Sequence, residues 1–215
     1  MNHLRRIAWS AVVGTLTFTT QLYAQRDWTV SFGAGGAREI VHSRFGTAET
    51  RLTGSLFNEE AVVTRHRFVA RLRYGQGHVS SDSTARDVVE GELLAGYMAR
   101  RWLQIWLGPR ARTFVTSGLS DRRWLFWSGG LSARGGIFPG RVDSFVELWQ
   151  AFSGSLNRPA ASASGRGVEL GLEAMLAGHP WRLRFAYRIE QGRLDDGRRD
   201  TVEGLTLTAG YRFVR

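Results

Sequence analysis

The chain contains no cysteine, and its 29 basic residues are all arginine; lysine is absent. Without thiols there are no disulfides, no thiol chemistry and no cysteine-based zinc site. No apolar run of about 18 residues follows the N-terminal segment, which argues against a helical membrane protein. The mean hydropathy of −0.22 agrees. Phosphate-cradling motifs, histidine-rich metal spacings and serine-hydrolase elbows are also missing, so neither metal nor cofactor is expected. The glycine-rich stretch 33–38, GAGGAR, is followed by no helical pattern, and glycine within a strand relieves crowding or bends a sheet. The net charge of +10 raises the question of nucleic acid. That partner needs arginines gathered in one stripe or tail, whereas here they are scattered through alternating segments.

What the sequence does have begins with a targeting segment. MNHLRR is a basic start, residues 7–18 form a short apolar core, and Ala24 offers a small residue for cleavage. This pattern predicts a secretory signal peptide over 1–24 and a mature domain over 25–215. From there the dominant period is two. Apolar and polar residues alternate through 28–35, 51–57, 65–75, 89–98, 103–112, 127–137, 142–149, 168–176, 181–190 and 202–215. Alternation of this kind marks half-buried strands. Residues 58–61, 99–102, 138–141 and 177–181 are expected to be tight turns. Residues 42–49, 80–87, 117–123, 154–167 and 191–200 are expected to be longer loops.

Both faces of the strands are distinctive. The polar face carries Arg65, Arg67, Arg71, Arg73, Arg110, Arg112, Arg134, Arg182, Arg184 and Arg188. It also carries Glu90, Glu92, Glu147, Glu169, Glu173 and Glu190. Arg-rich and Glu-rich strands tend to follow one another, and opposite charges on neighbouring strands stabilise a sheet face. Trp102, Trp106, Trp124, Phe126, Trp127, Trp181, Tyr211 and Phe213 gather near strand ends, as in the aromatic girdles of membrane barrels. A closed barrel hides every backbone polar group from lipid. The fold class expected is therefore all-β: a single transmembrane antiparallel β-barrel of about ten strands, its lumen filled by an Arg/Glu network. About eight strands is the alternative, if two weak N-terminal segments pair outside the wall. A secreted β-sandwich is the main competitor.

The closing strand, with Leu205, Leu207, Ala209, Tyr211 and Phe213 on one side, resembles the terminal β-signal of bacterial outer-membrane proteins. It departs from it in that Val214 and Arg215 follow the last aromatic. The resemblance extends over the whole chain as architecture, of the kind seen in OmpA-like and OmpX-like barrels. It implies a bacterial outer-membrane location, periplasmic chaperones and the barrel-assembly machinery as partners in biogenesis, and contact with outer-membrane lipid and lipopolysaccharide.

A second, local resemblance concerns His78, Ser80 and Glu92, whose spacing is similar to that of the outer-membrane lipid A 3-O-deacylases. It implies a serine nucleophile, a histidine base and a glutamate orienter. Parity places His78 and Ser80 on the lipid side and Glu92 on the lumen side, and Ser81 stands where that family has asparagine. His66 is expected at a membrane interface, His42 in a loop and His179 in a turn. Arg193, Arg198 and Arg199, beside Asp195 and Asp196, form a loop cluster suited to lipopolysaccharide phosphates or simply to solvent. The residues favour a structural or envelope-interaction role without catalysis. A narrow pore and a lipid esterase are the alternatives.

Overall fold

A computed structural model describes residues 28–115, 122–157, 160–176, 178–194 and 197–214. The chain forms ten strands: β1 (Trp28–Phe45), β2 (Ala48–Arg65), β3 (Phe68–Ser80), β4 (Ala85–Arg100), β5 (Leu103–Val115), β6 (Arg122–Phe138), β7 (Val142–Asn157), β8 (Ala160–Met175), β9 (Trp181–Leu194) and β10 (Arg199–Val214). Each pairs antiparallel with its sequence neighbours, and β1 also pairs with β10, from Thr29↔Val214 to Arg44↔Arg199. The sheet is thus closed at ten strands, the larger of the two expected counts. The segment 1–24, read as a signal peptide, lies outside the described residues.

An even strand count leaves both chain ends at one end of the barrel, here called the terminal end. The connections 66–67, 101–102, 139–141 and 176–180 lie there too, and the other connections lie at the distal end. His66 turns the chain between β2 and β3 with φ 52°, and Gly46 turns it between β1 and β2 with φ 59°. Glycine adopts such a conformation without strain, while a histidine there is uncommon.

Several boundaries differ from the sequence reading. Residues 58–61, taken as a turn, lie in the middle of β2. The run Asn58-Glu59-Glu60 is charged because its members alternate between faces, with Glu60 reaching inward to Arg73 and Arg182. The first tight turn at the terminal end comes at 66–67 instead. The stretch 42–49 is almost entirely strand and reverses at residues 46–47, and most of 154–167 is strand as well. The distal connections are therefore short and the strands are long. β1 and β2 have 18 residues each, whereas crossing a bilayer takes about 9–11. The barrel must project beyond the hydrocarbon layer.

Side-chain polarity shows which part projects. In the terminal half the outward positions are apolar and exposed, among them Phe68, Leu72, Leu93, Leu107, Leu131, Leu148, Leu172, Phe185 and Leu207. Inward positions there are largely charged or polar, with one small apolar cluster of Val69, Leu94 and Trp106. In the distal part of the same strands the arrangement reverses. Val41, Leu52, Val79, Val88, Leu156, Leu194 and Val202 point inward and are buried, while Arg51, His78, Asp87, Ser164, Arg193 and Arg199 point outward and are exposed. The barrel is apolar outside and polar inside in one zone, and like a soluble barrel in the other. Leu52 and Leu56, grouped by the sequence with the apolar outer faces, belong to the interior for this reason.

Candidate functional site

The lumen is the candidate site, and alternation along each strand builds it. On β3 the inward side chains run Val69, Arg71, Arg73 and Val79. On β9 they run Arg182, Arg184, Ala186, Arg188 and Leu194. In the central zone eight arginines meet eight glutamates: residues 71, 73, 110, 112, 134, 182, 184 and 188 against 39, 60, 90, 92, 147, 169, 173 and 190. Equal numbers balance the formal charge of this layer.

The geometry is that of paired forks. Arg71 donates to Glu147 through both terminal nitrogens, at 2.7 and 2.6 Å, and through Nε to Glu92 at 2.8 Å. Arg110 also bonds Glu147, at 3.0 Å, is ion-paired with Glu92, and donates Nε to Ser128 Oγ at 3.2 Å. Arg73 bridges Glu60 at 2.8 Å and Glu169 at 2.8 and 3.2 Å. Arg184 donates to Glu169 at 2.5 Å. Arg188 joins Glu39 at 2.5 Å to Glu90 at 3.0 Å, and Arg112 is paired with Glu90 and, at 3.1 Å, with Glu190. Bidentate guanidinium–carboxylate pairs are short, directional and strong, which suits a water-poor interior. Aromatic faces complete the packing: Arg71 lies over Trp106 at 4.6 Å, Arg110 over Trp149 at 4.8 Å and Arg184 over Phe145 at 4.0 Å.

Two members of the sequence set lie elsewhere. Arg65 points outward at the terminal end of β2, over the Trp28 ring at 5.1 Å. Arg67 is in the β2–β3 turn and donates to Tyr97 Oη at 3.4 Å. Treating 65–75 as one strand carried the alternation across a turn, and the turn resets it. The other fourteen face inward. Glu39 and Glu60 went unnoticed because the first strand was ended at residue 35 and residues 58–61 were read as a turn. Continued alternation from residue 28 to 45 was the signal: Ala37, Glu39 and Val41 share one parity.

Apolar side chains flank the charged layer. At the distal side Val41, Leu52 and Val79 are completely buried and cluster with Val88, Phe114, Leu156, Leu194 and Val202. Beneath them Trp124 stacks on Phe126 with centroids 5.7 Å apart, and Phe126 meets Trp149 at a tilt, with centroids 6.0 Å apart. The indole of Trp124 donates to Asp200 at 2.9 Å, and Arg122 is paired with the same carboxylate. Glycines make room for these rings: a Cβ at Gly192 would stand 3.0 Å from Trp124, and one at Gly165 2.8 Å from Phe126. Trp106, Trp124 and Phe126 are thus lumen residues rather than parts of an outer girdle. The outer aromatics include Trp102, Trp181, Tyr211 and Phe213 at the terminal margin, where Trp181 and Tyr211 meet edge-to-face at 5.1 Å, and Trp127 at the distal one. A cavity of about 110 Å³ remains between the charges and the aromatic roof. A wider vestibule of about 490 Å³ opens at the terminal end, lined by Thr29, Ser31, Arg101, Gln104 and Arg212, and its floor is Arg71, Arg182 and Arg184.

The esterase trio is not brought together. His78 lies on the outer face, its Nδ1 2.9 Å from Asp87, its direct cross-strand partner. Ser80 shares that parity, whereas Glu92 is held inside by Arg71 and Arg110. His42 is in β1 rather than in a loop, with Glu49 at 3.3 Å, and His179 is in the β8–β9 turn. No cluster of metal-binding side chains occurs among the described residues. Of the loop cluster, Arg193 and Arg199 are exposed strand residues and Arg198 lies over Phe45 at 4.6 Å; Asp195 and Asp196 lie outside the described residues. The terminal signal residues Leu205, Leu207, Ala209, Tyr211 and Phe213 all face outward on β10.

No protein-family model matches the sequence, and no curated protein matches it. Solved structures resemble its fold. An outer membrane channel from Pseudomonas putida F1 aligns with a TM-score of 0.50 at 10% identity, over 88% of this chain and 96% of that one. The outer membrane protease OmpT from Escherichia coli aligns with a TM-score of 0.48 at 7% identity, over 89% and 98%. The translocator domain of the autotransporter NalP from Neisseria meningitidis aligns at 0.46 and 10% identity, over 97% and 98%. At these identities the likeness is one of fold: the chain is built as bacterial outer-membrane β-barrels are.

Proposed function

We propose that the protein is an integral barrel of the bacterial outer membrane with a closed lumen, serving a structural or envelope-interaction role without catalysis. The observation that carries this reading is the reversal of polarity along each strand. An outward apolar belt with an ion-paired interior suits a bilayer, and a distal zone with an apolar interior suits the aqueous outside. The residue-1–24 segment delivers the chain to the periplasm, and the terminal end faces that side. The outward row ending in Tyr211 and Phe213 supports recognition by periplasmic chaperones and the assembly machinery; Phe213→Ala is expected to lower the amount of heat-resistant barrel recovered in outer-membrane fractions.

The closed-lumen reading rests on two successive barriers, the interlocked arginine–glutamate layer and the buried apolar cluster beyond it. About ten strands enclose little space to begin with. Purified barrel reconstituted in planar bilayers is expected to give no steady conductance. Currents that change when Arg71 or Glu92 is neutralised would replace this reading with the narrow pore. The esterase reading has lost its orienting carboxylate to the lumen. Assay of lipid products from membranes carrying the chain, with Ser80→Ala beside it, is expected to find no deacylated lipid in either.

A further inference from the structure

We propose that the vestibule at the terminal end is a dead-end binding site for a small oxyanion, a carboxylate or phosphate ester that also carries a hydroxyl group. The proposal goes beyond the structural role above. It takes from that reading only that the terminal end faces the periplasm, which makes the ligand a periplasmic solute. The vestibule has a volume of about 490 Å³, within the range of about 300–1,000 Å³ usual for small-molecule sites. It is blind, because Arg71, Arg182 and Arg184 of the charged layer form its floor.

Unlike the layer beneath it, the vestibule wall carries cations that are not matched. Arg101, in the β4–β5 connection, is exposed, and Arg212 faces inward between Tyr211 and Phe213. Neither side chain has an ion pair or hydrogen bond among the described residues. Arg134 reaches only Glu173, at 3.6 Å, a carboxylate it shares with Arg182 and Arg184, and its buried Nε has no partner. Of the two carboxylates lining the vestibule, Glu60 is held by Arg73 and Arg182. That leaves Asp143 alone against the guanidinium groups of Arg101, Arg134 and Arg212.

Two buried groups say what else the ligand must offer. Trp106 is 4% exposed, and its indole Nε1 donates to nothing. Its six-membered ring lies against Gly96, where a Cβ would stand 2.5 Å away, so the N–H edge is turned from that wall. The Oε1 of Gln104 is likewise buried and accepts nothing. Both side chains line the vestibule. A buried donor or acceptor left without a partner is costly, so each calls for a bound group. Guanidinium forks match carboxylate and phosphate oxygens bidentately. An oxyanion therefore answers the arginines and the indole N–H, and a hydroxyl on the same ligand answers Gln104 or Asp143. A bare anion answers only the first set, and a cation is repelled.

The test uses the full-length barrel refolded in detergent, its folding checked by the heat shift, and titrated by calorimetry at low salt. Malate and glycerol 3-phosphate are the hydroxylated probes, and succinate and methyl phosphate are their counterparts without the hydroxyl. Binding of malate against glycerol 3-phosphate tells a carboxylate source from a phosphate source. At least one hydroxylated probe is expected to bind, and more tightly than its counterpart. Arg101→Ser/Arg212→Ser is expected to bind it roughly tenfold more weakly or worse, through the loss of two charged donors. Arg101→Ser alone, in an exposed turn, should already weaken it. Gln104→Leu should still bind but lose the preference for the hydroxyl. Arg193→Ser/Arg199→Ser at the distal end should bind like wild type. A heat-shifting barrel that binds none of the probes at millimolar concentration would overturn the site and leave the membrane placement standing. So would unchanged affinity in the Arg101/Arg212 variant, or an equal loss in the distal one. A chain with no heat shift would overturn the barrel reading, and the site with it.

Discussion

Glu147, like Glu90 and Glu169, accepts three hydrogen bonds from lumen arginines. It is buried at 2% exposure and accepts from Arg71 at 2.7 and 2.6 Å and from Arg110 at 3.0 Å. Replacing it in Glu147→Gln keeps the volume and removes the charge. Glu92 is then left to balance both guanidinium groups, so one positive charge remains buried and uncompensated. Breaking a buried pair in this way costs about 3–5 kcal/mol. Because Glu92 stays in contact with both arginines, the expected loss lies toward the lower end, about 3 kcal/mol. For a chain of this size each kcal/mol moves the midpoint by about 2–4 °C, so the heat-shift transition should fall by roughly 6–12 °C. Arg71→Met/Glu147→Gln should lose less than the two single changes summed, with a coupling of at least about 2 kcal/mol, because the double variant leaves no unmatched charge of its own. Asp82→Asn in the exposed β3–β4 connection serves as the control and should move the midpoint hardly at all. The assay is the boiled-against-unboiled gel shift as a function of temperature in lipid vesicles. A shift for Glu147→Gln no larger than that of the control, or strict additivity with Arg71→Met, would refute the claim that these groups form a dry, interlocked network.

Three further outcomes follow from the same structure. Leu52→Ala empties part of the distal seal and is expected to destabilise by about 2–4 kcal/mol in urea titrations, whereas an outward-facing Leu52 would be nearly neutral. Gly165→Ala pushes a methyl group against the Phe126 ring, held between Trp124 and Trp149, and should cost about 1–3 kcal/mol by the same titration. Arg65→Ala removes one exposed contact with Trp28 and should cost no more than about 1 kcal/mol, while Arg73→Ala, which leaves Glu60 with Arg182 alone and Glu169 with Arg184 alone, should cost several times as much; equal effects would return Arg65 to the lumen.

The barrel and its charged layer were legible because strand alternation is strict wherever one face meets lipid. From Phe68 to Leu72 and from Trp181 to Phe185 every second residue is apolar, and the arginines between them have only the lumen to occupy. Legibility failed where the solvent changes along a strand. In β2 the sequence Leu52, Gly54, Leu56, Asn58, Glu60 is a single inward face, apolar at one end and charged at the other. Read with one rule, its leucines look lipid-facing and its glutamate looks like a turn. Trp124 and Phe126 misled in the same way: aromatic residues near strand ends suit a girdle, and only the facing glycines Gly165 and Gly192, distant in sequence, reveal that the rings fill the lumen. Period two gives parity, but a turn such as His66-Arg67 resets it, and parity does not state which side is wet.

The absence of cysteine makes the central claim directly measurable. Single cysteines introduced by Thr201→Cys, Val202→Cys and Leu207→Cys on β10 sample the distal outer face, the distal interior and the lipid belt within one strand. A membrane-impermeant maleimide applied to intact cells should label residue 201 readily and should leave 202 and 207 unlabelled until the barrel is unfolded. Labelling of 202 as fast as 201 would contradict the sealed interior, and labelling of 207 would contradict the reversal of polarity on which the membrane placement depends.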